Sequence, residues 1–545
     1  MRFFDTWRDN MASKTLDGQR LAYNDRVARL RKSEYPMLKG ITYLDHGGTT
    51  LTSKTLLHVF AKEMQTTLLA NPHSDAANPS ASSSIIAETR TKVLQFFNAD
   101  PDHFDIVFTA NATAAVKLVM DCLSGSEHGF DYYYHLNCHT SLVGVRELAR
   151  RSHCFATDGE TQEWLGGLRQ PFEPCDDDRT TLFAYPAQSN MNGQRLPLHW
   201  GHQPRKSGIH PDTYTLLDAA AFVSTSPLDL SDHATAPDFV ALSFYKIFGF
   251  PDLGALLVRK ASAHVMGNRK YFGGGTTEMM TCLEEKPWVV RKEASLHARL
   301  EDGTIAIRSI LALRCALDNH RRLYGSMEDV SQHTGWLGKI LYERLGALNH
   351  SNGIPVCHFY KATASTYADP KTQGATIAMN IRRSDGSWIG PYAVGAMLRR
   401  YGIHVRSGSL CNPAGMALAL NLSPFDVRMA YAEGFRCNQQ DDVRQGEVLF
   451  GMVRVTLGAM STLEDVEKLA SCVERELVDQ DCVRKDSSMI NGDTETGEDS
   501  KPTIMSYEEQ KQLSITPAPN NRRRMAKMWK VVGNCFFRFG SSGRC

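Results

Sequence analysis

The chain has 545 residues, 42% of them hydrophobic and 22% charged, with a net charge of +1. These proportions suit a large folded core and exclude a disordered or fibrous protein, and the near-neutral balance gives nucleic acid no footing on the body of the chain. No stretch reaches the roughly 18 apolar residues of a membrane span, and the start, MRFFDTWRDN, lacks a signal-peptide core, so a cytoplasmic protein is expected. Thirteen cysteines, scattered without C-x-x-C pairs, read as free thiols rather than as a disulfide frame or a zinc site.

Residues 1–40 alternate charged and apolar positions at roughly helical spacing and read as an arm over the main body. A strand Ile41–Leu44 and a turn at Gly47-Gly48 follow, then a helix opening near Thr52 or Ser53, where a hydroxyl caps the first turn. The run DIVFTANATAAVKLVM predicts a strand Ile106–Thr109 feeding an Ala-rich helix. Free N–H groups and the positive end of that helix offer a phosphate seat with the Thr113 hydroxyl as an extra donor, although a plain helix cap explains the pattern as well. His139 follows an aromatic strand, placed to stack on a planar ring, to move protons or simply to support structure. The strand in TLFAYPAQSNMNG ends on Gln188, Ser189 and Asn190.

Between Thr215 and Arg259 two short apolar runs, Tyr214–Leu217 and Phe239–Ser243, suit buried parallel strands. The first ends on Asp218 and the second leads into Lys246, which puts a carboxylate and an amine at the carboxyl edge of one sheet, where open α/β sheets bind ligands. An aldehyde cofactor needs a lysine for a Schiff base, an acid to keep its pyridine nitrogen protonated and an anchor for its phosphate. A surface lysine and a helix-capping aspartate account for the same two residues locally. Strands at 106, 182, 214 and 239 alternating with helices predict a doubly wound α/β sheet.

Beyond residue 260 come the loop YFGGGTTEMM, a long helix within RLEDGTIAIRSILALRCALDNHRRLYG, and a second α/β body with strands in GATIAMNI, IHVRSG and GMVRVTL around the loop SLCNPAG. The expected organisation is an arm (1–40), a large cofactor-binding domain (41–300), a connecting helix (301–330), a small domain with the cysteine loop (331–478) and a disordered tail (479–545). The end of that tail, NNRRRMAKMWKVVGNCFFRFGSSGRC, is basic and aromatic, suited to an anionic membrane surface or a partner, or merely solvated.

YLDHGGTTL, TANATAAVKLV, HTSLVGVR, PAQSNMNG, SFYKIFGFPDLGALLVRK, YFGGGT, VRSGSLCNPAG and VRVTLGAMSTLEDVE occur in the order seen in class V aminotransferase-fold enzymes. More specifically, about residues 40 to 478 resemble the amino-terminal cysteine-desulfurase part of molybdenum cofactor sulfurases. That resemblance implies the pyridoxal-phosphate-dependent aminotransferase fold type I, a large domain with a mostly parallel sheet plus a smaller α/β domain, and pyridoxal 5'-phosphate as cofactor. It implies Lys246 as the Schiff-base lysine, Asp218 as partner of the pyridinium nitrogen, Ala112, Thr113 and Ser243 at the phosphate, His139 on the ring and Asn190 beside the ring hydroxyl and the substrate. Arg454 matches the arginine that holds the substrate carboxylate, and Cys411 the cysteine that carries sulfur as a persulfide. The implied reaction turns L-cysteine into alanine and passes sulfur to an acceptor, the molybdenum cofactor in the resembled family.

A homodimer is implied too, in which the Gly273–Thr276 loop reaches the neighbour's phosphate. From the residues themselves, Gly408 and Gly415 predict a mobile cysteine loop, and Arg406 favours its thiolate. Two departures are visible: Ser409 stands where the family often has another cysteine, and nothing after residue 480 reads as the family's β-rich carboxy-terminal domain. A class V lyase or transferase acting on another amino acid, and a catalytically silent partner subunit, therefore stay open beside the desulfurase.

Overall fold

The computed structural model describes residues 15–479, apart from 75–79, 174–178, 209–211, 284–285, 437–442 and 445–447. The expected tail, from residue 480 onward, and the first 14 residues of the arm lie outside the described residues.

Seven strands form the central sheet: β1 Phe104–Thr109, β2 Phe130–His135, β3 Arg151–Phe155, β4 Thr180–Pro186, β5 Thr213–Asp218, β6 Phe239–Ser243 and β7 Gly254–Arg259. Their order is β1-β7-β6-β5-β4-β2-β3, with every pair parallel except those made by β7, which runs antiparallel to both β1 and β6. No strand is expected from sequence at Gly254–Arg259. Residues 244–253 are too few for a parallel crossover, so the chain returns as a hairpin with Ser243 opposite Gly254.

Successive strand side chains leave on opposite faces, so continuous apolar runs must be covered on both. On one face Tyr133, Phe155, Trp164, Phe183, Tyr185 and Trp200 build an aromatic core. On the other, Tyr132, Tyr134, Leu182 and Ala184 meet Ala115, Val116 and Val119 of the helix Ala112–Ser124. The doubly wound α/β reading of the sequence holds.

A second sheet joins β8 Cys357–Phe359, β9 Thr376–Arg382, β10 Trp388–Ile389, β11 Arg406–Gly408 and β12 Met452–Thr456, all antiparallel, in the order β8-β9-β12-β11 with β10 also on β9. The single strand expected over IHVRSG is divided: Ile403–His404 pairs in parallel with Thr42–Tyr43, and β11 pairs with β12. The helix Ile307–Tyr324 ends at Gly325, whose positive φ of +83° is one that glycine adopts most readily. A new helix, Met327–Gly346, then starts under a Ser326/Asp329 capping box. The arm is the helix Thr15–Glu34, tied down where Tyr23 Oη donates to the Tyr324 carbonyl (2.8 Å) and Asn24 Oδ1 accepts from Leu463 N–H (2.9 Å).

Candidate active site

β5 and β6 lie side by side in parallel register, Leu216–Asp218 against Phe239–Ala241, so their carboxyl ends open at one edge. Asp218 closes β5; its Oδ1 accepts from Ala220 N–H (3.0 Å), and Oδ2 has no protein donor among the described residues. Lys246 sits in the single helical turn Tyr245–Phe248 just after β6, and its amine makes no hydrogen bond among the described residues. Burial holds the amine below the ordinary lysine value, partly countered by the Asp218 carboxylate. Both side chains line a cavity of about 230 Å³ shared with Ala112, Thr113, His139, Asn190, Ser243, Cys411 and Arg454.

At one end of this cavity the helix Ala112–Ser124 begins. Its Asn111 cap accepts from Ala114 N–H (3.0 Å), and Ala112 N–H donates to Ser243 Oγ (2.9 Å). The Ala112 amide is thus already engaged, and the open donors of the first turn are the N–H and hydroxyl of exposed Thr113. Gly254 makes this junction possible: a Cβ there would stand 2.4 Å from Asn111 Cα.

His139 caps the short helix Thr140–Val143, with Nδ1 accepting from Ser141 N–H (3.1 Å). The neutral ring therefore carries its proton on Nε2. Burial lowers its pKa; Asp218 opposes that shift, while Lys246 and Arg454 add to it.

Arg454, on β12, is only 4% exposed. Nη1 donates to the Asn190 carbonyl (2.9 Å), Nη2 to Asp45 Oδ1 (2.7 Å), and Nε is buried without a partner among the described residues. Asp45 belongs to the YLDHGG motif and was not expected at the site. Its partner is 409 residues away, so no local pattern announces it. Gln188, Ser141, Tyr245 and Arg406 line the same cavity.

The cysteine loop differs from expectation. Instead of swinging between glycines, it is anchored. Leu410 is buried against Met191, Ala378, Met416 and Met452, and its carbonyl accepts from Asn190 Nδ2 (2.7 Å). Thr140 N–H donates to the Cys411 carbonyl (3.1 Å), and Asn412 is fully buried. Gly415 lies inside the helix Pro413–Ala419 rather than at a hinge. Leu410 and Cys411 both adopt left-handed backbone, φ +56° and +54°, a cost of about 1–2 kcal/mol per residue that the surrounding contacts must offset.

Thr276 is not part of this cavity. Its hydroxyl donates to the Gly273 carbonyl (2.7 Å) of its own turn, and that turn is fastened by Gly273 N–H to Asp302 Oδ1 (2.9 Å). A larger cavity, about 700 Å³, between residues 108–121 and 300–306 contains none of the candidate residues. Eight described cysteines, Cys411 among them, are free thiols.

The fold is that of solved cysteine desulfurases. The enzyme of Thermococcus onnurineus NA1 superposes with a TM-score of 0.62 at 19% identity, covering 82% of this chain and 97% of that one. A variant of the cystine lyase C-DES, with glycine covalently linked to its PLP cofactor, gives 0.55 at 17% identity over 82% and 98% of the two chains. The chain belongs to the class-V aminotransferase family, which matches residues 42–469. The molybdenum cofactor sulfurase of Chaetomium globosum is 51% identical over 451 residues, 83% of this chain and 57% of that protein. The chain spans little more than half the length of the curated relatives it matches.

Proposed function

We propose that the cavity binds pyridoxal 5'-phosphate and that the protein is a cysteine desulfurase in which Cys411 takes the sulfur of L-cysteine. The observation that carries this reading is one cavity lined together by Lys246, Asp218, Cys411 and Arg454. The donor set fits the cofactor: an amine without hydrogen bonds, a carboxylate with one oxygen open, and a helix start whose Thr113 N–H and hydroxyl are free for phosphate. Lys246 would hold the aldehyde carbon, Asp218 the ring nitrogen, Thr113 and Ser243 the phosphate, and His139 the ring face. Bound there, pyridoxal phosphate supplies an electron sink that loosens the substrate's Cβ–S bond.

The protein's own groups account for the rest. Arg454 has five N–H donors, of which two are engaged, and the remainder suit a substrate carboxylate beside Asn190. Lys246, its pKa lowered by burial, can take up and return the proton, and Nε2–H of neutral His139 is a hydrogen-bond donor within the same cavity. Cys411 Sγ attacks the substrate sulfur: the S–S bond forms, the Cβ–S electron pair stays on carbon and takes a proton, and alanine leaves behind a Cys411 persulfide. The names of the curated relatives support the molybdenum cofactor as acceptor. A cytoplasmic homodimer, with Thr276 of one subunit reaching the partner's phosphate site, completes the proposal; no helix among the described residues is long and apolar enough to cross a membrane.

The test is mass spectrometry after brief exposure to cysteine, which should find one added sulfur on the Cys411 peptide and an equal amount of alanine. The Cys411→Ser variant should bind cofactor and cysteine yet transfer no sulfur, because its hydroxyl is a far poorer nucleophile than a thiolate. Full turnover by that variant, with no adduct in the wild type, would leave a lyase or transferase acting on another amino acid.

A further inference from the structure

Cys411 has an unusual setting for a nucleophile. Its backbone is left-handed, as is that of Leu410, a conformation uncommon in residues other than glycine. Something must hold it there. We propose that Asn412 is a positioning residue that fixes the aim of Cys411 into the cavity, a role that rests on Cys411 being the sulfur carrier.

The geometry of the amide is closed on every side. Asn412 is fully buried, and Oδ1 accepts from Gly415 N–H (3.1 Å), starting the helix Pro413–Ala419. That contact fixes which way round the amide lies, since a flipped group would set donor against donor. Nδ2 donates to the Asn137 carbonyl (3.1 Å) and to Asn190 Oδ1 (3.1 Å), with Ser189 Oγ at 3.5 Å. The amide of Asn190 in turn donates from Nδ2 to the Leu410 carbonyl (2.7 Å). One asparagine side chain therefore grips the residue before Cys411 and the residue after it. Thr140 N–H takes the Cys411 carbonyl itself (3.1 Å), one residue from His139.

Neither aspartate nor an aliphatic residue satisfies this arrangement. Aspartate keeps the Gly415 contact but turns an acceptor towards two acceptors, the Asn137 carbonyl and Asn190 Oδ1. An aliphatic residue strands all three buried groups. Asn412 touches neither substrate nor cofactor in this scheme; it acts through the direction of Sγ.

The test compares the pyridoxal-phosphate-loaded wild type with Asn412→Asp. Persulfide formation in a single turnover should slow by about 100-fold, the scale of a misplaced reacting atom, with the KM for cysteine and the cofactor absorbance unchanged. The deficit relative to wild type should shrink between pH 8 and pH 5.5, because a buried aspartate regains a proton to donate as the pH falls. A purely structural lesion would show no such recovery. Equal persulfide rates in variant and wild type, or loss of cofactor together with activity, would overturn the assignment. A second readout is independent of the chemistry: amide exchange at Thr140, which donates to Cys411, should accelerate at least ~10-fold in Asn412→Asp while Leu217 in β5 stays protected. Should the wild type form no persulfide on Cys411, the desulfurase reading fails, and the positioning role fails with it. Accelerated Thr140 exchange would then identify Asn412 as a structural clamp only, and unchanged exchange would remove even that.

Discussion

Nη2 of Arg454 stands 2.7 Å from Oδ1 of Asp45, joining β12 to a turn at the other end of the chain. Both side chains are largely withdrawn from water, 5% and 19% exposed. The pair neutralises a cation in the cavity wall, and through Nη1 the same guanidinium holds the Asn190 carbonyl. Removing one member of such a pair leaves an uncompensated buried charge, which costs more than the pair contributes when whole.

Asp45→Ala should therefore lower stability by about 3 kcal/mol, seen as a lower urea midpoint with an unchanged slope. A loss under about 1 kcal/mol would mean that water reaches Arg454 in place of the carboxylate.

Arg454→Lys keeps the charge and loses the planar fork. The KM for the amino-acid substrate should rise by about 10-fold or more while the bound cofactor's absorbance is unaltered. Cofactor loss in this variant would place Arg454 on the wrong side of the cavity.

Borohydride reduction of the pyridoxal-phosphate-loaded protein should fix the cofactor to Lys246, and Lys246→Ala should retain none. Because burial lowers the pKa of this amine, attachment should reach its half-maximal rate at a pH below the ordinary lysine value of 10.5. A label found on a different lysine would refute the assignment.

Acid should weaken the fold through buried neutral histidines. Burial holds His46 at about 3 and His320 and His333 at about 4, against an ordinary 6.5. Below 6.5 the unfolded chain takes up protons that these rings refuse, so stability present above that pH is lost as pH falls towards 4, by at most about 3 kcal/mol per ring. His320 packs edge-on to Phe248 and its Nε2 has no partner among the described residues. His320→Phe should flatten the decline of the urea midpoint between pH 6.5 and 4; an unchanged slope would show that the ring is protonated in the native state.

Legibility from sequence tracked the distance over which each residue is determined. Phe239–Ser243 was readable to the residue, because four apolar positions between Asp238 and Ser243 have few other uses. Asp218, Lys246 and the Asn111–Thr113 helix start followed from strand ends, which are local. β7 was missed since an apolar run does not declare its direction; only the short return from Ser243 does. Asp45 and the anchoring of Cys411 were out of reach for a different reason. Glycines beside Cys411 suggested mobility, while the residues that restrain it, Thr140 and Asn190, lie more than 200 positions earlier and announce nothing in the loop itself.

The hairpin from Ser243 to Gly254 marks a division of the cavity by distance along the chain. Lys246 lies within a loop whose ends meet in register, so closing it costs little chain entropy, and Thr113, His139, Asp218 and Ser243, the groups proposed to hold the cofactor with it in one chain, precede it within the same sheet domain. Asp45, Cys411 and Arg454 arrive from the two ends of the described chain and must close loops of hundreds of residues. The two halves of the cavity therefore differ in robustness. On the proposed roles, partial unfolding from either end should loosen Asp45, Cys411 and Arg454 while Lys246, Asp218 and the helix start at Thr113 stay together, so that turnover is expected to fail before the cofactor's colour is lost.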